Sequence, residues 1–226
     1  MERPVIEIPV SFFLKLNMDW DIDWRGQSVG EATGGNTQVV YNRFPRWIGT
    51  PEVFLYGDKI RQWRALRARA QGRVGIYSIA MCDPAGYIDV NAGLFETGIP
   101  FSNGEPFSTG FGWEYRPYFM AVSDYGPGAT TIRVDVGPMN GAVPLEGQIM
   151  SHNDWPFIVD HVANVSGDIY DLAIQMPLRS TIAIDDRIDL MPRGRFEAIE
   201  DMMGNPAYGA SRTSKIRLQF REVLTR

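Results

Sequence analysis

A mainly β fold, either a barrel or a sandwich with one substantial helix and long irregular loops, is what this sequence predicts. Three observations carry the expectation. Apolar residues recur in short alternating runs, most cleanly in Lys215-Ile216-Arg217-Leu218-Gln219-Phe220-Arg221. Glycine (23) and proline (15) are frequent enough to supply many turns. A convincing helical pattern occurs in one stretch, 57–71.

The elements follow in order. Val5, Ile6, Ile8, Val10, Phe12, Leu14 and Leu16 nearly alternate with polar or turn residues, which predicts a strand over 5–16. Val39–Tyr41 and Val53–Tyr56 are further strands, separated by irregular chain rich in Gly, Asn, Trp and Arg. In GDKIRQWRALRARAQ, Asp58 is placed to cap the helix and Gly72 to end it. Ile60, Trp63, Leu66 or Arg67, and Ala70 share one face, while Arg61, Arg64, Arg67 and Arg69 spread around the rest. Such a charge run reads first as a solvated surface and second as a contact with an acidic neighbour.

Val74–Met81 reads as a buried strand, closed by a turn at Asp83-Pro84-Ala85-Gly86. Residues 97–118 have no clean period, yet carry Phe101, Phe107, Phe111, Trp113, Tyr115 and Tyr118 among glycines, prolines and serines. Ile132, Val134 and Val136 alternate, so 130–136 is a strand. From 143 to 192 short strands succeed one another, with turns at Gly147, Gly167 and Asp185-Asp186 and a break at Pro177-Leu178-Arg179. No internal repeat or long linker divides the chain. Residues 1–226 are expected to form a single structural unit, divisible as a β region with the helix and aromatic loops (1–125) and a barrel-like module (126–226).

Composition narrows the function classes. Hydrophobic residues at 44% and charged residues at 22% are ordinary for a globular protein. A net charge of −5 gives no electrostatic case for nucleic-acid or anionic-membrane binding. One cysteine, Cys82, excludes an intrachain disulfide framework and reads as a small buried hydrophobe. No segment approaches the roughly 18 apolar residues of a membrane span. The opening MERPVIEIPVSFFLKLN is a poor signal peptide, so folding in a reducing cytoplasm is expected.

Templates for chemistry fail on spacing. Asp19, Asp21 and Asp23 suggest a calcium loop, but its glycine and glutamate positions hold Trp24 and Gly30. His152 and His161 have no zinc-ligand spacing around them. Nucleophile-elbow, P-loop and dinucleotide motifs are missing, and Gly110-Phe111-Gly112 lacks the context of a phosphate cradle. The reading is therefore no enzyme, no metal and no cofactor. The alternative is a carbohydrate-binding protein, or a cell-wall glycoside hydrolase with Glu96, Glu105, Glu114 and Asp124 as candidate carboxylates. Aromatic side chains in long irregular loops also suit a subunit interface. The candidates for that role are Trp20, Trp24, Phe101, Phe107, Phe111, Trp113 and Tyr115.

One segment also carries a family likeness. Leu145, Gly147, Ile149, Phe157, Val159, Val162, Tyr170, Ile174, Pro177, Leu178, Arg179, Ile188 and Pro192 mark a strand ending in Gly, an aromatic strand and a Pro-Leu-Arg step. Upstream stand Trp63-Arg64-Ala65-Leu66 and Gly72-Arg73. In this pattern the chain resembles tail-tip proteins of long-tailed bacteriophages and phage-like gene transfer agents, of the distal-tail or baseplate-hub type. The resemblance implies a structural virion protein of the tail, assembled in the bacterial cytoplasm. It further implies a homo-oligomeric ring, a hexamer first and a trimer second, in contact with tail-tube, hub and other tail-tip proteins.

Overall fold

A computed structural model describes residues 3–12, 19–31, 37–40, 44–83, 85–86, 94–139 and 142–225. The protein is mainly β, with 41% of the described residues in strands and 11% in helices. In chain order the first strands are β1 (Val5–Glu7), β2 (Trp20–Asp23), β3 (Gln27–Glu31), β4 (Thr37–Val40), β5 (Arg46–Gly49), β6 (Glu52–Tyr56) and β7 (Ile76–Ala80). Then come β8 (Tyr118–Ala121), β9 (Thr131–Asp135), β10 (Ile149–His152), β11 (Trp155–Ser166) and β12 (Ile169–Gln175). The last are β13 (Arg187–Asp189), β14 (Arg193–Ala198), β15 (Thr213–Arg217) and β16 (Phe220–Glu222). Two α-helices accompany them, α1 (Asp58–Ala70) and the single turn α2 (Leu94–Thr97).

The chain forms two compact units, and neither is continuous in sequence. One comprises Met1–Pro4, Asp19–Ile76 and Phe196–Arg226; the other comprises Val5–Met18 and Tyr77–Arg195.

In the first unit β5 pairs antiparallel with β2 and β16, and β16 with the end of β14. Opposed residues in such a ladder share a face. Trp20, Gly49, Phe220 and Ala198 thus align, with Ile22, Trp47 and Phe196 beside them. All but Trp20 are buried. Gly49 is required there, since a Cβ would lie 2.3 Å from the Trp20 ring. A second ladder joins β6 to β15 and buries Val53, Leu55 and Ile216. Helix α1 buries Ile60, Trp63, Leu66 and Ala70, which is the face that the sequence pattern marks. The Trp63 indole N–H donates to the carbonyl of Gly204 at 2.8 Å, and Arg67 Nε to that of Met203 at 2.9 Å. β3 and β4 form a separate hairpin.

Several boundaries differ from expectation for local reasons. The 5–16 strand is three residues long, because Pro9 leads into a 3-10 turn at Val10–Phe12; residues 13–16 lie outside the described residues. The C-terminal run is two strands, β15 and β16, broken at Leu218-Gln219 where Leu218 N–H donates to the Pro51 carbonyl. Asp58 does not cap α1. Gly57 holds that position at φ 51°, and Asp58 pairs instead with Arg61 from within the first turn. Gln71, in the left-handed region, closes the helix one residue before Gly72. Tyr41, expected in a strand, lies outside the described residues.

The second unit places β1 beside β7 and is dominated by a closed barrel in the order β10-β11-β12-β9-β8-β13. Every neighbouring pair is antiparallel, and β13 closes the ring through Ser151 opposite Asp189. The period of two sends Phe119, Ile132, Val134, Phe157, Val159, Leu172, Ile174 and Ile188 into the buried core. Closure removes exposed edges, the hazard of short strands. The 143–192 segment supplies four of the six barrel strands, as its dense turn signals suggested.

Candidate functional site

Because Phe119 and Ile188 face the barrel core, their neighbours Tyr118, Arg187 and Asp189 face outward on the same wall. Ser151 of β10 is opposite Asp189 and shares that face. Beside this wall the β10–β11 turn, Asn153-Asp154, has positive φ at both residues (50° and 62°), the geometry of a tight hairpin. The wall, this turn and residues 114–116 border an open recess of about 970 Å³. Its volume lies within the range of small-molecule sites, but its lining is far more polar than theirs.

The charges of the recess are arranged in pairs. Arg116 bonds Glu114 at 2.8 Å, Arg195 bonds Asp154 at 2.8 Å, and the Arg187 guanidinium lies 4.3 Å from the centre of the Tyr118 ring. His152 is buried; its Nδ1 lies 3.1 Å from the Arg187 carbonyl oxygen, so that nitrogen carries the proton and donates. Nε2 lies 2.9 Å from the Asn153 side-chain amide and 3.5 Å from the Asp186 carboxylate. Asp186 itself accepts from the Ala183 N–H.

Asp189 is different. Among the described residues no donor hydrogen-bonds its carboxylate, and burial pushes its pKa up against the partial opposition of Arg116 and Arg193. A carboxylate held in that state lacks a donor partner.

A second feature is the 98–113 excursion. Ile99 and Trp113 exchange hydrogen bonds at its base, and tight turns follow at Gly104 and Gly110. Phe101, Phe107 and Trp113 meet edge to face, with Phe107 centroids 4.9 Å from each of the other two. The cluster stays open: Phe101 is 43%, Trp113 58% and nearby Phe111 59% exposed.

The seven candidate aromatics are therefore not one patch. Phe101, Phe107 and Trp113 form this cluster, Phe111 stands exposed beside it, and Tyr115 lines the recess. Trp20 packs on Phe196 at 4.6 Å in the first unit, whereas Trp24 of that unit is exposed. Of the candidate carboxylates, Glu114 borders the recess, Glu105 sits in the loop turn, and Asp124 accepts from Ile184 N–H. The Glu96 side chain lies outside the described residues. Asp21 and Asp23 accept from nearby backbone N–H groups, and Asp19 bonds Thr50. His161 pairs with Glu146 at 2.7 Å. The Cys82 thiol is pushed up to about 11 by burial, partly offset by Arg193, so it is a poor nucleophile. Among the described residues no group of three or more His, Cys, Asp or Glu side chains is arranged to hold a metal ion. No helix among them is long and apolar enough to cross a membrane.

Sequence reasoning missed the recess as a unit. Its members come from six separated stretches, and only Asn153-Asp154, a hairpin dipeptide, and the alternation Arg187-Ile188-Asp189 carry a local signal of its wall. No protein-family model matches the chain, and no curated protein is significantly similar to it.

Proposed function

We propose that the chain is a structural component of a phage tail tip that assembles into a ring joining the tail tube to the host-recognition apparatus. The observation that supports this reading most is the self-packed, solvent-open cluster of Phe101, Phe107 and Trp113, with Phe111 beside it. Three large rings held by tight turns and left in water form the kind of contiguous apolar surface that marks an interaction site. The closed barrel supports it too, since the segment resembling tail-tip proteins supplies most of that rigid frame. In this reading the work is done by interfaces and not by an active site. The ring is a hexamer first and a trimer second, within the virion tail.

Each subunit interface would bury upwards of about 1,000 Å². The test is particle mass in solution for the parent and for the double variant Phe107→Ser/Trp113→Ser. A ring in the parent that dissociates in the variant is the expected outcome. A ring that persists unchanged, or a parent that stays monomeric at assembly concentrations, sinks the proposal.

A further inference from the structure

We infer that the recess on the outer wall of the barrel is a binding site for a short, neutral oligosaccharide. The argument starts from Asp189. Its side chain is half-buried and lines the recess, and no described residue donates a hydrogen bond to its carboxylate. A ligand that supplies donors is what such a group lacks.

Charge then narrows the ligand class. The lining has three arginines against four carboxylates, together with His152. An anionic ligand meets the carboxylates, and a cationic one meets Arg116 and Arg187. A divalent cation would need clustered ligands, and no such group exists among the described residues. Sugar hydroxyls are the chemistry that fits. Each both donates and accepts, so one hydroxyl is satisfied between acceptor-only Asp189 or Asp186 and donor-only Arg187 or Arg116. Tyr115 and Tyr118, the latter covered on one face by the Arg187 guanidinium, place aromatic side chains in the lining, the kind of surface on which an apolar sugar face packs. The site adjoins the base of the Phe101–Trp113 loop through Ile99 and Glu114, but sugar binding there does not rest on ring formation.

The experiment uses the full chain on a glycan array containing chitotriose, maltotriose and neutral bacterial surface-polysaccharide fragments, followed by titration calorimetry with the retained sugar. The parent is expected to bind, and Asp189→Asn and Arg187→Ala each to weaken binding about tenfold or more, because a hydrogen bond to a charged group is lost. Arg187 is solvent-exposed at its position, so its variant reads binding even if Asp189→Asn folds poorly. Phe111→Ser, at an exposed position that is not part of the lining, is expected to bind as the parent does. Retention of no sugar by the parent, undiminished binding in the Arg187 variant, or loss of binding in Phe111→Ser overturns the inference. So does a saturable response to calcium chloride alone that vanishes in Asp189→Asn. Particle mass, measured in parallel, separates failure of this site from failure of the ring.

Discussion

The sheet built on β2, β5 and β16 and the loop at 98–113 are both rich in aromatic side chains, yet they use them in opposite ways. In the sheet, Trp20, Phe196 and Phe220 lie on one face with centroids 4.6–6.4 Å apart, over a glycine that leaves room for the indole. Phe196 and Phe220 are fully buried. In the loop, Phe101, Phe107 and Trp113 approach just as closely but remain half in water. Proximity of rings is therefore not what distinguishes a core from a surface cluster. Regular pairing is: opposed strands bring side chains from distant sequence to one face, whereas the loop's own turns can only fold its rings onto each other.

The sharpest way to break this comparison is to truncate one ring in each place. Phe220→Ala is expected to destabilise the protein by about 3–5 kcal/mol, the usual result for a buried phenylalanine. Phe101→Ala, an exposed ring, is expected to change stability by about 0.5 kcal/mol or less in the monomeric state. Urea unfolding of both variants under conditions that keep the chain monomeric would decide it. Equal losses would mean that the loop cluster is a core in its own right.

A smaller effect tests the glycine. Gly49→Ala places a methyl group 2.3 Å from the Trp20 ring, and the backbone there leaves the indole to move. An overpacking loss of about 1–3 kcal/mol is expected, accompanied by a change in tryptophan fluorescence. Parent-like stability would show that Trp20 swings away at little cost, and that its place in the packed face is loosely held. By contrast, a Cβ at Gly104 in the loop meets nothing within 4 Å, so its demand for glycine is one of backbone conformation alone, at φ +84°.

How far the sequence discloses this molecule follows the same division. The β class, helix α1 with its buried face, and the strand-dense 143–192 segment are all legible, because hydrophobic period is a local signal. The limits of strands are less so: a proline-led 3-10 turn cuts β1 short, and a hydrogen bond to Pro51 separates β15 from β16. Strand order is not local at all, so nothing in the sequence shows that Trp20, a subunit-interface candidate, packs on Phe196. Its environment is made by Gly49, Phe196 and Phe220, far along the chain. The recess is hidden for the same reason. Arg187 and Asp189 read as the polar side of a short strand, and nothing near them announces that Tyr118 and Ser151 share their face.

The least of the expected effects concerns Asp189 and sharpens the comparison by contrasting a side chain retained for stability with one retained against it. Burial raises its pKa in the folded protein above the value in the unfolded chain. The unfolded chain therefore loses this proton first as pH rises. Between the ordinary and the raised value the folded state holds the extra proton, so stability attributable to this group is present below the unfolded value. It is lost as pH climbs through the folded one. Above that range the folded protein carries an ionised carboxylate in a site that disfavours charge. Asp189→Asn removes that penalty, so it is expected to raise the urea midpoint at pH 7 and to leave it nearly unchanged at acid pH, where the parent is protonated. Paired urea titrations at the two pH values would measure this. A variant less stable than the parent at pH 7 would mean that Arg116 and Arg193 outweigh burial, and that Asp189 is a structural ion-pair member and not a side chain kept for a ligand.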